Sequence, residues 1–247
     1  MNLENKVALV TGSAKGIGAA TIEELAKNKC NVVINYNTSS KEAEILKNKV
    51  ESYGVKVLAI KADITNEEEV NNMIEEIINK FGTIDILINN AAICIDTLYQ
   101  DKTVNNFRKV LDTNLIAPFY ISKVVGDIMY EKQTGTIINI TSTNGIDKYF
   151  PMSLDYDASK AALISLTHNL SMQYAPYVRV NAVAPGWVTT EAEMKDLDEE
   201  FIRTEEDKIF VRRFGTPEEI ANTIVFLASD KSSYINNTVI RVDGGTY

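Results

Sequence analysis

Cysteine and histidine are scarce in this chain, with two cysteines and one histidine among 247 residues. Cys30 and Cys94 lie far apart in apolar surroundings and form no CxxC pair. That arrangement argues against a thiol-bound metal site and fits a reducing compartment. Both are expected to be buried bystanders, and no metal site is expected. Long apolar runs are missing too: none reaches the ~18 residues a membrane span needs, and the N-terminal stretch Met1–Val7 carries no signal-peptide core. A cytoplasmic protein with no membrane contact is the resulting expectation. Positive charge is also short, since 25 Lys and Arg against 34 Asp and Glu leave a net charge of −9. With no basic stripe to overcome that balance, nucleic acid is not an expected partner. What remains, 45% hydrophobic and 24% charged residues, is the make-up of an ordinary globular chain long enough for a substantial core in one α/β domain.

The apolar run Lys6–Thr11 reads as a short strand. Gly12-Ser-Ala-Lys-Gly16-Ile-Gly18 follows it directly, ahead of a helical pattern carrying Ile22, Leu25 and Ala26. Glycines between a strand and a helix permit a tight turn and let the backbone approach a pyrophosphate, whose charge the helix N-terminus stabilises. A dinucleotide site is therefore expected here. The next strand, 31–36, ends without the acidic residue that would accept from an NAD 2′-hydroxyl. Asn35, Tyr36, Asn37, Thr38 and Ser39 stand there instead, and the first carboxylate is Glu42. Lys15 adds a cation within the glycine turn. Both features favour NADP(H) over NAD(H), with NAD(H) kept as the second choice.

Beyond this point the pattern alternates: helix 40–53, strand 55–60, helix 66–81, strand 84–88 and a long helix 101–129. Strands 136–141 and 178–183 follow, then a helix opened by Thr216-Pro217 and a closing strand from 239. Repeated β-α-β units at this spacing predict a parallel sheet with helices on both faces. Asp63, just after a strand, is placed to accept from an adenine amino group or to cap the following helix, and the two roles are compatible. Asn89 and Asn90, at the end of strand 84–88, fall where open α/β sheets bind ligands.

Tyr156 and Lys160 are i,i+4 neighbours and share one helix face. A phenol with an ordinary pKa near ~10 is a poor acid–base group at neutral pH, but an adjacent ammonium favours its ionised form. Ser142 ends a strand, at a carboxyl edge, where its hydroxyl can donate to a substrate carbonyl oxygen. His168 lies about three helical turns beyond Tyr156 and is expected to be structural.

Taken together, Thr11-Gly12-x-x-x-Gly16-x-Gly18, Asn89-Asn90-Ala91, Asn114, Ser142, Tyr156-x-x-x-Lys160 and Pro185-Gly186 resemble the classical short-chain dehydrogenases/reductases over nearly the whole chain. Within that family the nearest group is the 3-oxoacyl-[acyl-carrier-protein] reductases. The resemblance implies one Rossmann domain over 1–247, a doubly wound seven-stranded parallel sheet. Residues 1–90 would serve mainly the dinucleotide, 110–190 catalysis and the nicotinamide, and 191–214 would form a substrate lid. It implies an NADP(H)-dependent oxidoreductase that reduces a carbonyl to a secondary alcohol, with Asn114, Ser142, Tyr156 and Lys160 as catalytic residues. Tyr156 would exchange the proton, Lys160 would bind the nicotinamide ribose, and Asn114 would hold a water of a proton relay. The implied cofactor set is Gly12, Ser13, Lys15, Gly16, Ile17, Gly18, Tyr36, Asn37, Asp63, Ile64, Asn90, Ala91, Tyr156, Lys160, Pro185, Gly186, Val188 and Thr190. A homotetramer is implied as well.

The sequence departs from that pattern in three places. Ala92 replaces a usual glycine, which is tolerable if its backbone is not left-handed. The interval from Ser142 to Tyr156 is longer and carries Gly145-Ile-Asp-Lys-Tyr-Phe-Pro-Met-Ser-Leu154. The stretches before strands 136 and 178 hold one lysine, Lys132, and none of the arginines that dock a carrier protein. Substrate candidates are thus a small carbonyl or alcohol, an acyl-carrier-protein thioester among them. A sugar or polyol dehydrogenase resembling glucose 1-dehydrogenase is the alternative. A nucleotide-sensing protein with the same fold is the non-enzymatic one. Asp155 and Asp157, flanking the tyrosine, suit a polar substrate or cap the helix. The acidic segment from Glu191 through Glu193, Asp196, Asp198, Glu199 and Glu200 is a solvated face or a mobile lid.

Overall fold

A computed structural model describes residues 3–195 and 197–246, with Glu193 described by its backbone alone. Asp196 and the Glu193 side chain, part of the expected acidic segment, lie outside the described residues.

Short apolar runs become seven strands: β1 (Val7–Val10), β2 (Asn31–Tyr36), β3 (Val57–Lys61), β4 (Ile86–Asn89), β5 (Gly135–Ile140), β6 (Val178–Pro185) and β7 (Val239–Val242). They form one sheet in the order β3-β2-β1-β4-β5-β6-β7, every pair parallel. The expected doubly wound sheet is therefore present, with several strand boundaries displaced by one or two residues. All four residues of β1 and of β4 are buried, which is why such strands read as continuous apolar runs rather than alternating ones. Alternation survives in the direction of the side chains. Val7 and Leu9 of β1 enter one core, while Ala8 and Val10 enter the core on the other face.

Helices α1 (Gly16–Lys27), α2 (Ser40–Glu51) and α9 (Pro217–Ala228) cover the first face, packing Ile22, Leu25, Leu46, Ile220 and Ile224 onto it. Helices α3 (Glu67–Phe81), α5 (Ala117–Glu131) and α6 (Leu154–Gln173) cover the second. In α3, Val70, Met73, Ile74 and Ile77 recur at i, i+3, i+4 and i+7 and form its buried stripe. Between β6 and α9 lie the short helices α7 (Glu191–Met194) and α8 (Glu199–Glu206). Among the described residues no helix is long and apolar enough to cross a membrane.

One expected element is broken. The helix drawn over 101–129 is α4 (Val104–Leu111), a π-helical turn (Asp112–Ile116) and then α5. The Ala117 N–H bonds the Asp112 carbonyl, five residues back. A turn widened in this way redirects one side chain, and the residue it turns inward is Asn114, fully buried.

Strand order reverses at β1, with β2 on one side and β4 on the other. The crevice outside the carboxyl ends of these strands is where an open α/β sheet binds ligands.

Candidate active site

At that crevice lies one cleft of ≈ 2220 Å³. Of the implied catalytic and cofactor residues, all but Ser13, Tyr36 and Asn114 line it; Asn89, at the end of β4, is buried instead and donates to Ser122 and Asn139, each at 2.8 Å. Ser13 is buried, its hydroxyl donating to the Val10 carbonyl at 2.8 Å. Tyr36 packs half-buried against the core of the first face. Asn114 stands behind the cleft wall.

The glycine turn is held from below by polar side chains at strand ends. The Asn35 side-chain oxygen accepts from Gly12 N–H at 3.1 Å, and its amide donates to the Ala62 carbonyl at 3.1 Å. The Thr11 hydroxyl accepts from the Asn90 and Ala91 N–H groups at 3.0 and 3.1 Å, while the Asn90 amide donates to the Thr11 carbonyl at 2.9 Å. Asn35 and Thr11 thus build the turn, and Asn35 also lines the cleft. Their one signal in the sequence is a polar residue closing an apolar strand.

Gly12 has φ +60, and a Cβ there would meet the Ala91 Cα at 2.8 Å. A Cβ on Gly18 would meet the Ser13 Cα at 2.7 Å and the Asn90 amide at 2.6 Å. Only glycine lets α1 approach β1 and β4 this closely. Lys15, the residue that opens α1, makes no side-chain capping bond, and the first turn holds no acid. Gly16, Ile17 and Gly18 at this helix start line the cleft, a position from which helix N-terminal N–H groups can bind an anion. The donor set and the glycine cradle both fit the pyrophosphate of a dinucleotide. Ala92 is not in the left-handed region, so its methyl is accommodated as expected.

On the β2 side of the cleft, the Lys15 cation expected to favour NADP(H) is paired with Glu42 at 2.8 Å, both side chains being exposed. Asn37 donates to the Asp63 carboxylate at 3.0 Å. Asp63 also accepts from the Thr65 hydroxyl and N–H at 2.7 and 2.9 Å. These bonds, the Thr65 hydroxyl foremost, hold its carboxyl below the usual range. Asn66 rather than Asp63 caps α3, accepting from Glu68 and Glu69 N–H, so the capping alternative for Asp63 is set aside.

At the other end, α6 presents Tyr156 and Lys160 together, with the Lys160 ammonium 5.3 Å from the Tyr156 ring centroid. Lys160 is buried and donates to the Ile140 carbonyl at the end of β5, at 2.8 Å. Burial pulls this ammonium down to about 8. Ser142, just past β5, accepts from Asn144 N–H at 3.2 Å, and an accepted bond leaves its proton free to donate. The Asn114 side chain both accepts from Ile93 N–H and donates to Ile93 C=O, each at 2.9 Å, and donates to the Ser159 hydroxyl at 3.1 Å. The π turn thereby locks the loop after β4 to α6.

Two readings of the sequence need correction here. Cys94 is exposed and lines the cleft, its thiol donating to Asp96 at 3.0 Å; only Cys30 is buried. An apolar local sequence does not bury a residue whose loop forms a cleft wall. The two aspartates beside Tyr156 do not face a substrate. Asp155 is fully buried against Lys102. Asp157 accepts from Asn144, from Phe150 N–H and from Ser153 at 2.7, 3.0 and 3.3 Å, fastening the 143–153 loop to α6. His168 bonds Asn237 at 2.6 Å, in a structural contact.

The segment 191–214 forms the remaining wall. Trp187 stacks on Phe214 with centroids 5.5 Å apart and meets Phe201 of α8 edge-on at 5.7 Å. Its indole N–H donates to Glu205 at 3.3 Å. Phe210 N–H donates to the Gly245 carbonyl at 2.7 Å, and Ile209 bridges to Thr246.

Comparison with known proteins agrees with this geometry. A family profile described as enoyl-(acyl carrier protein) reductase matches residues 12–247. The chain is 38% identical over 247 residues to the 3-oxoacyl-[acyl-carrier-protein] reductase FabG of Staphylococcus epidermidis, covering 98% of this chain and 99% of that one. It is 39% identical over 245 residues to the 3-oxoacyl-[acyl-carrier-protein] reductase of Synechocystis, covering 98% and 97%. Among solved structures, levodione reductase superimposes with a TM-score of 0.91 at 33% identity, covering 99% of this chain and 98% of that one. A putative short-chain alcohol dehydrogenase from Sinorhizobium meliloti superimposes with a TM-score of 0.94 at 30% identity, covering 99% and 97%. On this similarity along its whole length, the chain belongs to the short-chain dehydrogenases/reductases, oxidoreductases acting on CH–OH and carbonyl groups.

Proposed function

We propose that this protein is an NADP(H)-dependent reductase of 3-oxoacyl thioesters, with Tyr156 as the general acid. The observation that carries the reading is the meeting of Tyr156, Lys160 and Ser142 in one cleft with the uncapped start of α1. When bound, the nicotinamide dinucleotide supplies the hydride. Ser142 donates to the substrate carbonyl oxygen, a bond that strengthens as negative charge develops. Tyr156 delivers its proton to the forming alkoxide. Lys160, a cation below a pH of about 8, stabilises the negative charge left on the phenol oxygen when the proton departs. Asn114 retains a lone pair on its side-chain oxygen for the water of a proton relay. Val188 and Thr190, beside Pro185 and Gly186, flank the nicotinamide end of the cleft.

An acyl substrate is supported by the apolar side chains of the far end, where Phe150, Met152, Trp187, Leu197 and Phe201 line the cleft. The sugar reading loses the support it drew from Asp155 and Asp157, since both are turned into the protein. Docking of an acidic carrier protein has less behind it, because Lys132 is bonded to Asp85 and Thr83. A coenzyme A thioester is therefore the first substrate to try. Preference for NADP(H) rests on Lys15 and on the absence of a carboxylate at the end of β2, and the Glu42 partner moderates it. The segment 191–214 is proposed as the substrate lid. A homotetramer is supported by the apolar side chains Val104, Ile116 and Phe119, which are 66%, 52% and 43% exposed. Two free cysteines fit a cytoplasmic setting.

The test is oxidation of NADPH and NADH with acetoacetyl-coenzyme A, alongside reduction of NADP⁺ and NAD⁺ with glucose. Thioester-dependent NADPH oxidation is expected, lost by a factor of at least ~10³ in Tyr156→Phe while cofactor binding stays. Turnover with glucose alone would overturn the substrate, and undiminished turnover in Tyr156→Phe would overturn the mechanism.

A further inference from the structure

Immediately before Tyr156 stands a buried ion pair that the proposed mechanism does not use. The Lys102 ammonium donates to both carboxylate oxygens of Asp155, at 2.9 and 3.0 Å, and to the Ile95 carbonyl. The side chains are 5% and 0% exposed. Asp155 Oδ1 also accepts from the backbone N–H of Tyr156 itself, at 3.0 Å. The pair therefore joins the first turn of α6 to the loop after β4 that carries Cys94 and Asp96.

Stability alone does not account for it. Removing two charges from water costs several kcal/mol per ion, and apolar residues of similar volume often do as well or better. The electrostatic consequence is more specific. A buried carboxylate on the residue beside a phenol opposes ionisation of that phenol, and an ammonium in contact with the carboxylate cancels most of this field. Both charges are felt in the cleft. On the Cys94 thiol, which is pushed upward by the protein packed around it despite its open face and then by Asp96, Asp155 adds to the rise and Lys102 opposes it.

We infer that Lys102 and Asp155 are positioning residues for Tyr156: together they fix the first turn of the catalytic helix, and Lys102 screens the phenol from the Asp155 charge. This rests on Tyr156 being the proton donor. Other charged or titratable groups that line the cleft with Tyr156 are Lys160 of α6, Cys94 and Asp96 of the loop after β4, Arg108 and Lys109 of α4, Asp112 of the π turn, and Lys148 and Tyr149 of the loop after β5; Asp157 of α6 is turned to the 143–153 loop. Glu205 and Lys208 of the lid segment line the same cleft. None of these changes in the variants below.

The test compares Lys102→Met, Asp155→Asn and the double variant, each with and without Tyr156→Phe. Two readouts are used: the pH profile of kcat/KM for acetoacetyl-coenzyme A reduction by NADPH, and the ultraviolet tyrosinate titration of Tyr156, taken as the difference from the Phe variant without substrate. Lys102→Met leaves an unbalanced carboxylate and should move both midpoints to higher pH by about one unit. Asp155→Asn should move them lower. The double variant should return close to wild type, and Lys102→Arg should not move them. Midpoints unchanged in both single variants, with only melting temperature or kcat affected, would overturn the inference and leave the pair purely structural. Should Lys102→Met not fold, Asp155→Asn and the double variant carry the test, since the ammonium left in Asp155→Asn keeps the Asn side-chain oxygen and the Ile95 carbonyl as acceptors and the double variant buries no charge. The substrate-free titration separates the two possible failures. Absence of thioester turnover would count against the proposed function alone, whereas unmoved titration midpoints would count against this inference alone.

Discussion

Helices α1 and α9 pack side by side on the same face of the sheet and share one core, yet their starts are built in opposite ways. At α9, Thr216 accepts from Glu219 N–H at 3.3 Å, and Glu219 accepts from Thr216 N–H at 2.9 Å, a closed capping box. Proline stands in its first turn, and Arg213 grips Glu219 with two bonds of 2.8 and 2.7 Å. At α1 the capping position is Lys15, with no side-chain bond and no acid in the first turn. A helix start that serves stability satisfies its own N–H groups; one that serves an anion leaves them open. On the proposed function, the missing cap on α1 is the cost of a binding site, while α9 shows the closed start that the same layer can build.

The comparison breaks most severely if α1 is pushed off the sheet. Gly18→Val drives a side chain into the Ser13 backbone and the Asn90 amide, and should cost about 2–3 kcal/mol of stability by overpacking. Cofactor affinity, read by fluorescence titration, should fall by at least ~30-fold because Gly12 and Asn90 move with the helix.

Closing the α1 start sharpens the contrast instead. Lys15 already has the extended backbone of a capping residue, with φ −142 and ψ 170, so Lys15→Asp can cap without rearrangement. The cofactor-free protein should gain about 0.5–1 kcal/mol in denaturant unfolding. NADPH affinity should drop by roughly tenfold or more, because a carboxylate has replaced a cation where the phosphates are expected.

Opening the α9 start should lower stability, where closing α1 raises it, and leave the cofactor untouched. Thr216→Ala should lose about 1 kcal/mol with no change in NADPH affinity. The pH dependence follows from Glu219, whose carboxyl is held down to about 2, first by Arg213 and then by Thr216 N–H. Its folded pKa lies below the unfolded value, so its contribution is present above the ordinary carboxylate range and lost as pH falls towards about 2. Because the pair is exposed, the loss should be a few tenths of a kcal/mol. It should be absent from Glu219→Gln, measured by thermal unfolding across that acid window.

The smallest effect concerns Glu42. Glu42→Gln frees Lys15 from its partner and should raise the NADPH-over-NADH ratio of kcat/KM by roughly two- to fivefold. A fall in that ratio would mean that Lys15 does not face the 2′-phosphate.

Much of the fold was legible because parallel strands buried on both faces leave short apolar runs, and because Thr216-Pro217-Glu218-Glu219 spells out a helix start. The misread parts share a cause. The break at 112–116 was invisible because Asp-Thr-Asn-Leu-Ile has no helix-breaking residue. The π turn is maintained by bonds from Asn114 to Ile93 and Ser159, which are distant in sequence. Cys94 looked buried because its neighbours are apolar, although the loop that carries it forms a cleft wall. Asp155 and Asp157 could not be placed without knowing that Lys102 and the 143–153 loop pack against the first turn of α6.

What the sequence determined by itself was therefore whatever is local: the order of strands and helices, the strand–glycine–helix turn, and the shared helical face of Tyr156 and Lys160. Each follows from periodicity and backbone freedom, which act over a few residues. Only the tertiary structure decided where charge is cancelled, with Glu42 on Lys15, Lys102 on Asp155 and Arg213 on Glu219. Ion pairs between separate elements depend on which surfaces the fold brings within a few ångströms of each other, and Coulomb energy at that range is set by position and burial rather than by order along the chain.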